Sequence, residues 1–244
     1  YLIQFFNPKL KFLGQIGEKG PGVNQFDLPI SVCDFEDELY ICDQNNDRIV
    51  RLDNNKIFNV VIANKFKEGV LRRPSGIAVG QDGKILITDR SNNFVQIFDR
   101  NLKFLELLGS KSLKFNRPSS ISIYNQNTNK NIISILERKL GYNSSLNLYR
   151  TDNGFGSLKH YKKFDDSDLN DPQDMDISAS GLIHVADTLS RRIIQIDLNG
   201  KIVNQVDMKK ISNNERILIK TIYVRDDGHV FTADFDECVV YEFN

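Results

Sequence analysis

The stretch RPSGIAVGQDGKILITDRSNNFVQIFD, residues 73–99, contains the pattern that decides the fold. A proline opens an apolar run, a turn with Gly leads to a second run that ends in Asp89, and a polar segment precedes a third run. Short runs rich in Ile, Val, Phe and Thr, bounded by Asn, Asp and Gly, are typical of β-strands joined by tight turns. This stretch is therefore predicted to form three consecutive strands.

The same pattern recurs along the whole chain. An acidic residue ends the second run of each unit, at intervals of 46 to 50 residues: Asp43, Asp89, Glu137, Asp187 and Asp234. In most units a further apolar run follows the third, as in KFLELLG (residues 103–109), so each unit has four runs. Four-stranded units of about 45 residues, repeated radially, predict an all-β fold, the β-propeller.

The order of proline, β-run, second β-run ending in Asp, polar turn and RI resembles the NHL repeat. Residues 26–53, 73–99 and 171–197 carry this resemblance best, whereas the third unit has Glu137 in place of Asp and the fifth lacks the proline. The resemblance implies an NHL-type propeller of six four-stranded blades. It also implies a domain that binds RNA or a protein partner on one face.

We interpret residues 1–244 as a single propeller domain. Residues 1–17 are predicted to be a partial blade, followed by units at about 18–64, 65–110, 111–164, 165–212 and 213–244. The 21 predicted strands lie between the 20 of a five-bladed ring and the 24 of a six-bladed ring. We expect six blades, with part of the ring outside this sequence; alternatively, residues 11–17 close the fifth unit and residues 1–6 are an extra strand. With six blades, the chain is a piece of a larger protein.

The regular acids are predicted to be structural. An Asp at the end of a strand can accept hydrogen bonds from backbone N–H groups of the turn that follows. Residues spaced this regularly are better explained by the scaffold than by catalysis, and we assign this role to Asp43, Asp89, Asp187 and Asp234.

Composition narrows the possible functions. Lys plus Arg and Asp plus Glu both number 32, so no global field draws the chain to nucleic acid or membrane, and binding by charge needs a local patch. The longest apolar runs are far below the ~18 residues of a membrane span. Three Cys do not suggest a disulfide framework, and we expect a reducing, cytoplasmic location.

Catalysis is not expected. The three His residues lie in different units, and no metal-binding motif, phosphate-binding loop or nucleophile motif is present, so we expect no cofactor and no metal. Some NHL-like relatives are metal-dependent lyases or hydrolases, which leaves that activity as a minor alternative.

A basic sector is predicted on the face formed by the loops that precede the first strands and those that join second to third strands. In units 2 and 3 these loops carry a net charge of +5, with aromatic residues among them. Cationic side chains that contact phosphates, beside rings that stack unpaired bases, are typical of single-stranded RNA binding. The predicted RNA-binding residues are Arg72, Arg73, Arg90, Phe94, Lys114, Arg117, Arg138, Lys139 and Tyr142.

A protein partner is the alternative. The loops of units 4 and 5 are acidic and include Asp171, Asp174, Asp236 and Glu237. The chain would then be a protein–protein interaction scaffold within a larger protein, for example one of ubiquitin-ligase type.

Overall fold

The computed structural model describes residues 1–53, 58–62, 69–109, 113–127, 130–138, 144–152, 154–165, 168–212, 216–225, 227–234 and 239–243. Within these ranges the chain forms twenty-one β-strands, one 3-10 helix (Gln44–Asn46) and one short α-helix, α1 (Met208–Ser212). The described part contains no helix that is long and apolar enough to cross a membrane.

The strands form antiparallel sheets in chain order. A two-stranded sheet holds β1 (Ile3–Phe6) and β2 (Phe12–Ile16). Blade 1 holds β3 (Pro29–Phe35), β4 (Glu38–Asp43), β5 (Arg48–Leu52) and β6 (Phe58–Ile62). Blade 2 holds β7 (Pro74–Val79), β8 (Ile85–Asp89), β9 (Phe94–Phe98) and β10 (Phe104–Leu107). Blade 3 holds β11 (Pro118–Asn127), β12 (Lys130–Arg138), β13 (Ser144–Thr151) and β14 (Leu158–Phe164). Blade 4 holds β15 (Pro172–Ile177), β16 (Ile183–Asp187), β17 (Arg192–Ile196) and β18 (Ile202–Asp207). Blade 5 holds β19 (Ile219–Val224), β20 (Val230–Asp234) and β21 (Val239–Phe243).

The blades are arranged radially. The first strand of each blade contacts the first strand of the next, from β3 to β7, β11, β15 and β19, so these strands line the centre. The predicted all-β propeller with four-stranded blades is confirmed. Six sheets lie within the described residues, but β1 and β21 are not paired there. The number of blades in a closed ring and the boundaries of the units therefore stay predictions.

The apolar core lies between blades rather than within them. Side chains from facing sheets interdigitate at each junction, because each sheet presents one apolar face to the neighbour before it and one to the neighbour after it. Between the two-stranded sheet and blade 1 lie Ile3, Ile16, Phe26, Ile41 and Val50. Between blades 2 and 3 lie Leu86, Val95, Ile121, Ile133 and Tyr149.

Two carboxylates on β15 connect three successive inner strands. Asp174 accepts hydrogen bonds from Ser120 Oγ on β11 (2.8 Å) and from the Ile222 N–H on β19 (3.1 Å). Asp176 repeats the arrangement one step along, with Ser122 Oγ at 2.9 Å and the Val224 N–H at 2.8 Å. These four bonds hold blades 3, 4 and 5 together at the centre.

Asp174 makes stability depend on pH. Its burial is the largest effect on its pKa and, with the nearby Asp176, raises that pKa from 3.8 to about 6 despite the hydrogen bonds, which favour the ionised form. Between about pH 4 and pH 6 the folded protein therefore holds a proton at Asp174 that the unfolded chain has lost, and this group's contribution to stability falls as pH rises. We expect the free energy of unfolding of the wild type, relative to that of Asp174→Asn, to decrease between these pH values in urea denaturation. A relative free energy that stays constant or increases with pH would contradict this assignment.

Candidate nucleic-acid interface

The repeated prolines and acids place two sets of loops on one face of the propeller. Each proline opens an innermost strand and pairs across the sheet with the acid that ends the second strand, as in Pro29 with Asp43 and Pro74 with Asp89. The loops before the first strands and after the second strands consequently lie at the same edge of every blade. We call this edge the loop face.

The acids are buried at this edge and join its two sets of loops. Asp43, with no exposed surface, accepts hydrogen bonds from the Asp27 N–H (2.7 Å), from Asn46 Nδ2 (2.8 Å) and from Arg48 Nε (2.7 Å). Asp89 and Asp187 likewise accept from backbone N–H groups of residues two positions before the proline, at 3.2 and 2.5 Å. Asp234 receives the Leu218 N–H at 3.5 Å.

This geometry corrects the hydrogen-bond partners expected from the sequence. The backbone donor shared by the acids lies in the loop that precedes the first strand, not in the turn that follows the acid. Asp89 does accept the Asn92 N–H of its own turn, at 3.2 Å, in addition. The reason is the antiparallel register, which places the end of the second strand opposite the start of the first.

Arg48 is a further element of this edge, and the sequence analysis did not single it out. It is 3% exposed, and besides Asp43 its guanidinium donates to the carbonyls of Pro21, Gly22 and Gln25. Arg192 takes the same place beside Asp187, at 2.8 Å, but remains about one-third exposed. The signal in the sequence is the arginine five residues after the acid, in DQNNDR and DTLSRR.

Two further positions of the repeat lie on the loop face. One is the residue before each proline, which has a positive φ in blades 1 to 4: Leu28 (60°), Arg73 (55°), Arg117 (49°) and Asp171 (52°). The other is the residue after the acid, which contacts the next blade from blades 1, 3 and 4. Gln44 Oε1 lies 3.4 Å from Arg73 Nη2, and Arg138 Nη2 lies 3.1 Å from Asp171 Oδ1.

Four consecutive members of this series are arginines: Arg73, Arg90, Arg117 and Arg138, which we call the arginine arc. Burial first, and then the charges of the other three, lower the pKa of Arg90 to about 10. It remains protonated at neutral pH, so the arc is a real concentration of positive charge. Arg90 Nε is buried and has no hydrogen-bond acceptor among the described residues.

The other predicted RNA-binding residues have mixed positions. Arg72 and Lys114 are exposed, and Lys114 Nζ lies 5.9 Å from the ring centroid of Phe94, which is half-buried at the start of β9. Lys139 and Tyr142 lie outside the described residues. Phe115, an aromatic of the same loops, is buried against Tyr149 and takes no part in the surface.

Among the described residues, the acidic loops of units 4 and 5 do not form a patch separate from the basic sector. Asp171 is paired with Arg138 of the basic sector, which joins the two sectors. Asp174 is on the innermost strand β15 with its carboxylate bound between blades. Asp236 and Glu237 lie outside the described residues. The described residues contain no cluster of three His, Cys, Asp or Glu that could hold a metal ion.

Comparison with known proteins agrees with this architecture. Residues 71–98 match the family model for the NHL repeat. The chain is 25% identical over 146 residues to Protein brain tumor of Drosophila melanogaster, a match that covers 59% of this chain and 13% of that protein. It is 53% identical over 38 residues to Protein lin-41 of Caenorhabditis elegans, which covers 16% of this chain and 3% of that protein. The chain thus spans only a small part of these relatives.

Solved structures show the fold alone. The virginiamycin B lyase of Staphylococcus aureus, in a catalytically inactive form with quinupristin, superimposes with a TM-score of 0.66 at 14% identity, covering 99% of this chain and 76% of that chain. A streptogramin B lyase superimposes with a TM-score of 0.65 at 12% identity, covering 100% and 76%. Arg72, Arg73, Arg90 and Phe94 all lie within the matched repeat. The chain is a β-propeller in which residues 71–98 match the NHL repeat.

Proposed function

We propose that this propeller is a non-catalytic module that binds single-stranded RNA through the arginine arc and the residues beside it. The observation that carries the proposal is the arc itself, in which four arginines occupy consecutive positions of the loop face on two adjacent blades. Of their guanidinium groups, only that of Arg138 forms an ion pair among the described residues. Like charges at neighbouring positions of one surface repel each other unless an anion lies between them. A polyanion is the ligand that such a surface fits.

The residues beside the arc suit an unpaired strand. Guanidinium groups hold phosphates, whereas an aromatic face stacks a base that is not engaged in a duplex. Phe94 has a ring at the loop face with a lysine ammonium near it, so a base stacked there would lie next to a cation that can contact its phosphate. The arc consists of cationic hydrogen-bond donors and, among the described residues, contains no nucleophile with a general base beside it. This composition supports binding rather than catalysis.

The salt dependence of binding tests this proposal. Each phosphate contact to a single strand contributes about 0.7 to the slope of log affinity against log salt. Reversing Arg72, Arg73 and Arg117 to Glu is therefore expected to flatten the slope by roughly 2, as measured by fluorescence anisotropy at several salt concentrations. Phe94→Ala is expected to weaken binding by about 1–3 kcal/mol without changing the slope, because stacking releases no counterions.

A matched control lies at the opposite edge of the blades. Lys9, Lys103 and Lys201 are exposed; Lys9 lies in the turn between β1 and β2, and the other two lie in turns between third and fourth strands. Their hydrogen bonds among the described residues are made by backbone groups. Reversing these three lysines changes the net charge by the same amount but should leave the slope within about one contact of the wild type. An equal loss of slope in both triple variants would mean that total charge, not the loop face, drives binding.

A further inference from the structure

The junction between blades 2 and 3 differs from its neighbours at the loop face. At the blade 1–2 junction the residue after the acid, Gln44, meets Arg73, and at the blade 3–4 junction Arg138 meets Asp171. Both contacts pair a cation with an oxygen acceptor. At the blade 2–3 junction the same two positions are occupied by Arg90 and Arg117, two cations.

The described residues do not supply the acceptor that this junction lacks. Arg90 Nε is buried, has no hydrogen-bond partner among the described residues, and faces the charge of Arg117. Arg117 is fixed in place, because its N–H donates to Asn93 Oδ1 (2.9 Å) and its carbonyl accepts the Arg138 N–H (3.3 Å). The main chain thus holds two arginines at the equivalent positions of this junction, where an oxygen anion would be an acceptor for both side chains.

We propose that Arg90 and Arg117 form a phosphate slot that, given the RNA-binding function proposed above, receives the terminal phosphomonoester of the strand. A guanidinium donates in a planar fork that matches phosphate oxygens, so one phosphate can bridge two arginines. A phosphomonoester carries about −1.5 to −2 charges at neutral pH, whereas an internal phosphodiester carries one. With Arg73 and Arg138 on either side, the more highly charged group gives the better charge balance.

Inorganic phosphate tests the slot without RNA. In ¹H–¹⁵N spectra of the arginine Nε–Hε groups, phosphate is expected to cause saturable shifts of the Arg90 and Arg117 signals. Arg117→Gln should abolish the Arg90 shift, while Arg100→Gln, at the opposite edge and paired with Glu36, should leave it unchanged. Phosphate should also raise the melting temperature of the wild type but not that of Arg90→Gln. The cooperative melting transition of Arg90→Gln in the same measurement confirms that this variant is folded. An Arg90 signal that phosphate does not shift would overturn the slot.

A second experiment tests whether a terminal phosphate of RNA occupies the slot. It compares oligonucleotides of one sequence that have a 5′-phosphate, a 3′-phosphate or hydroxyls at both ends. We expect one phosphorylated form to bind roughly tenfold more tightly than the hydroxyl form, an advantage that Arg90→Gln removes and Arg100→Gln keeps. Equal affinities of all three would overturn the terminal-phosphate assignment. If phosphate shifts the Arg90 signal but no oligonucleotide binds, the phosphate slot stands and RNA is not its ligand. This result separates failure of the proposed RNA-binding function from failure of the slot.

Discussion

Replacing Arg48 by methionine is expected to lower the free energy of unfolding by about 3–5 kcal/mol. The substitution keeps most of the side-chain volume but removes the cation from Asp43, which has no exposed surface, and leaves the carbonyls of Pro21, Gly22 and Gln25 without this donor. An uncompensated buried carboxylate is the reason for the large effect. Urea denaturation followed by circular dichroism measures it.

Arg192→Met is the matched control for this prediction. Arg192 forms the equivalent pair with Asp187 but is about one-third exposed, so water can replace part of what the guanidinium provides. We expect a clearly smaller loss of stability than at Arg48. Equal losses, or a loss below about 1 kcal/mol at Arg48, would show that the buried pair does not stabilise this edge of blade 1 as the contacts indicate.

Gly76→Ala is expected to destabilise the protein by about 1–3 kcal/mol, because it separates two inner strands. A Cβ at Gly76 on β7 would lie 2.8 Å from Ser120 Cα and 3.0 Å from the Ile121 nitrogen on β11. These are backbone atoms, which cannot rotate away as a flexible side chain can, so one strand must shift. Thermal denaturation of the variant measures the cost.

Gly156→Ala is the control for the strand contact. The nearest atom to a Cβ there is a Glu106 carboxylate oxygen at 3.9 Å, and the backbone has no positive φ. Its stability should stay within about 0.5 kcal/mol of the wild type. A Gly76→Ala protein as stable as Gly156→Ala would mean that the inner strands of blades 2 and 3 are not in the close contact described.

The repeat made most of the fold predictable. Proline and acid mark the start of the first strand and the end of the second in each unit, and the structure pairs them, as in Pro172 with Asp187. The period of 46 to 50 residues then leaves space for four strands. Blade number was not predictable, because it depends on which strands close the ring rather than on any local pattern. The partners of the buried acids were also missed, since they come from a loop about 16 residues earlier in the chain.

The charges in the sequence predicted the basic sector but not the contacts that its residues make. The sequence shows that Arg73, Arg90, Arg117 and Arg138 belong to loops of the same face, whereas which of them meet depends on how one blade sits against the next. The same geometry joined Arg138 to Asp171, two residues that had been assigned to opposite sectors. Burial of Phe115 follows from packing against Tyr149, a contact between loop and third strand that charge and composition do not reveal.

Whether the wild-type chain binds short single-stranded RNA is the most direct test of the proposed function. The measurement is fluorescence anisotropy with labelled U-rich and mixed-sequence oligonucleotides in low salt, with protein up to ~10 µM, a range in which even non-specific phosphate contacts register. We expect saturable binding that weakens as salt increases and is lost when the arginine arc is neutralised. No saturable binding by the folded wild type would contradict it.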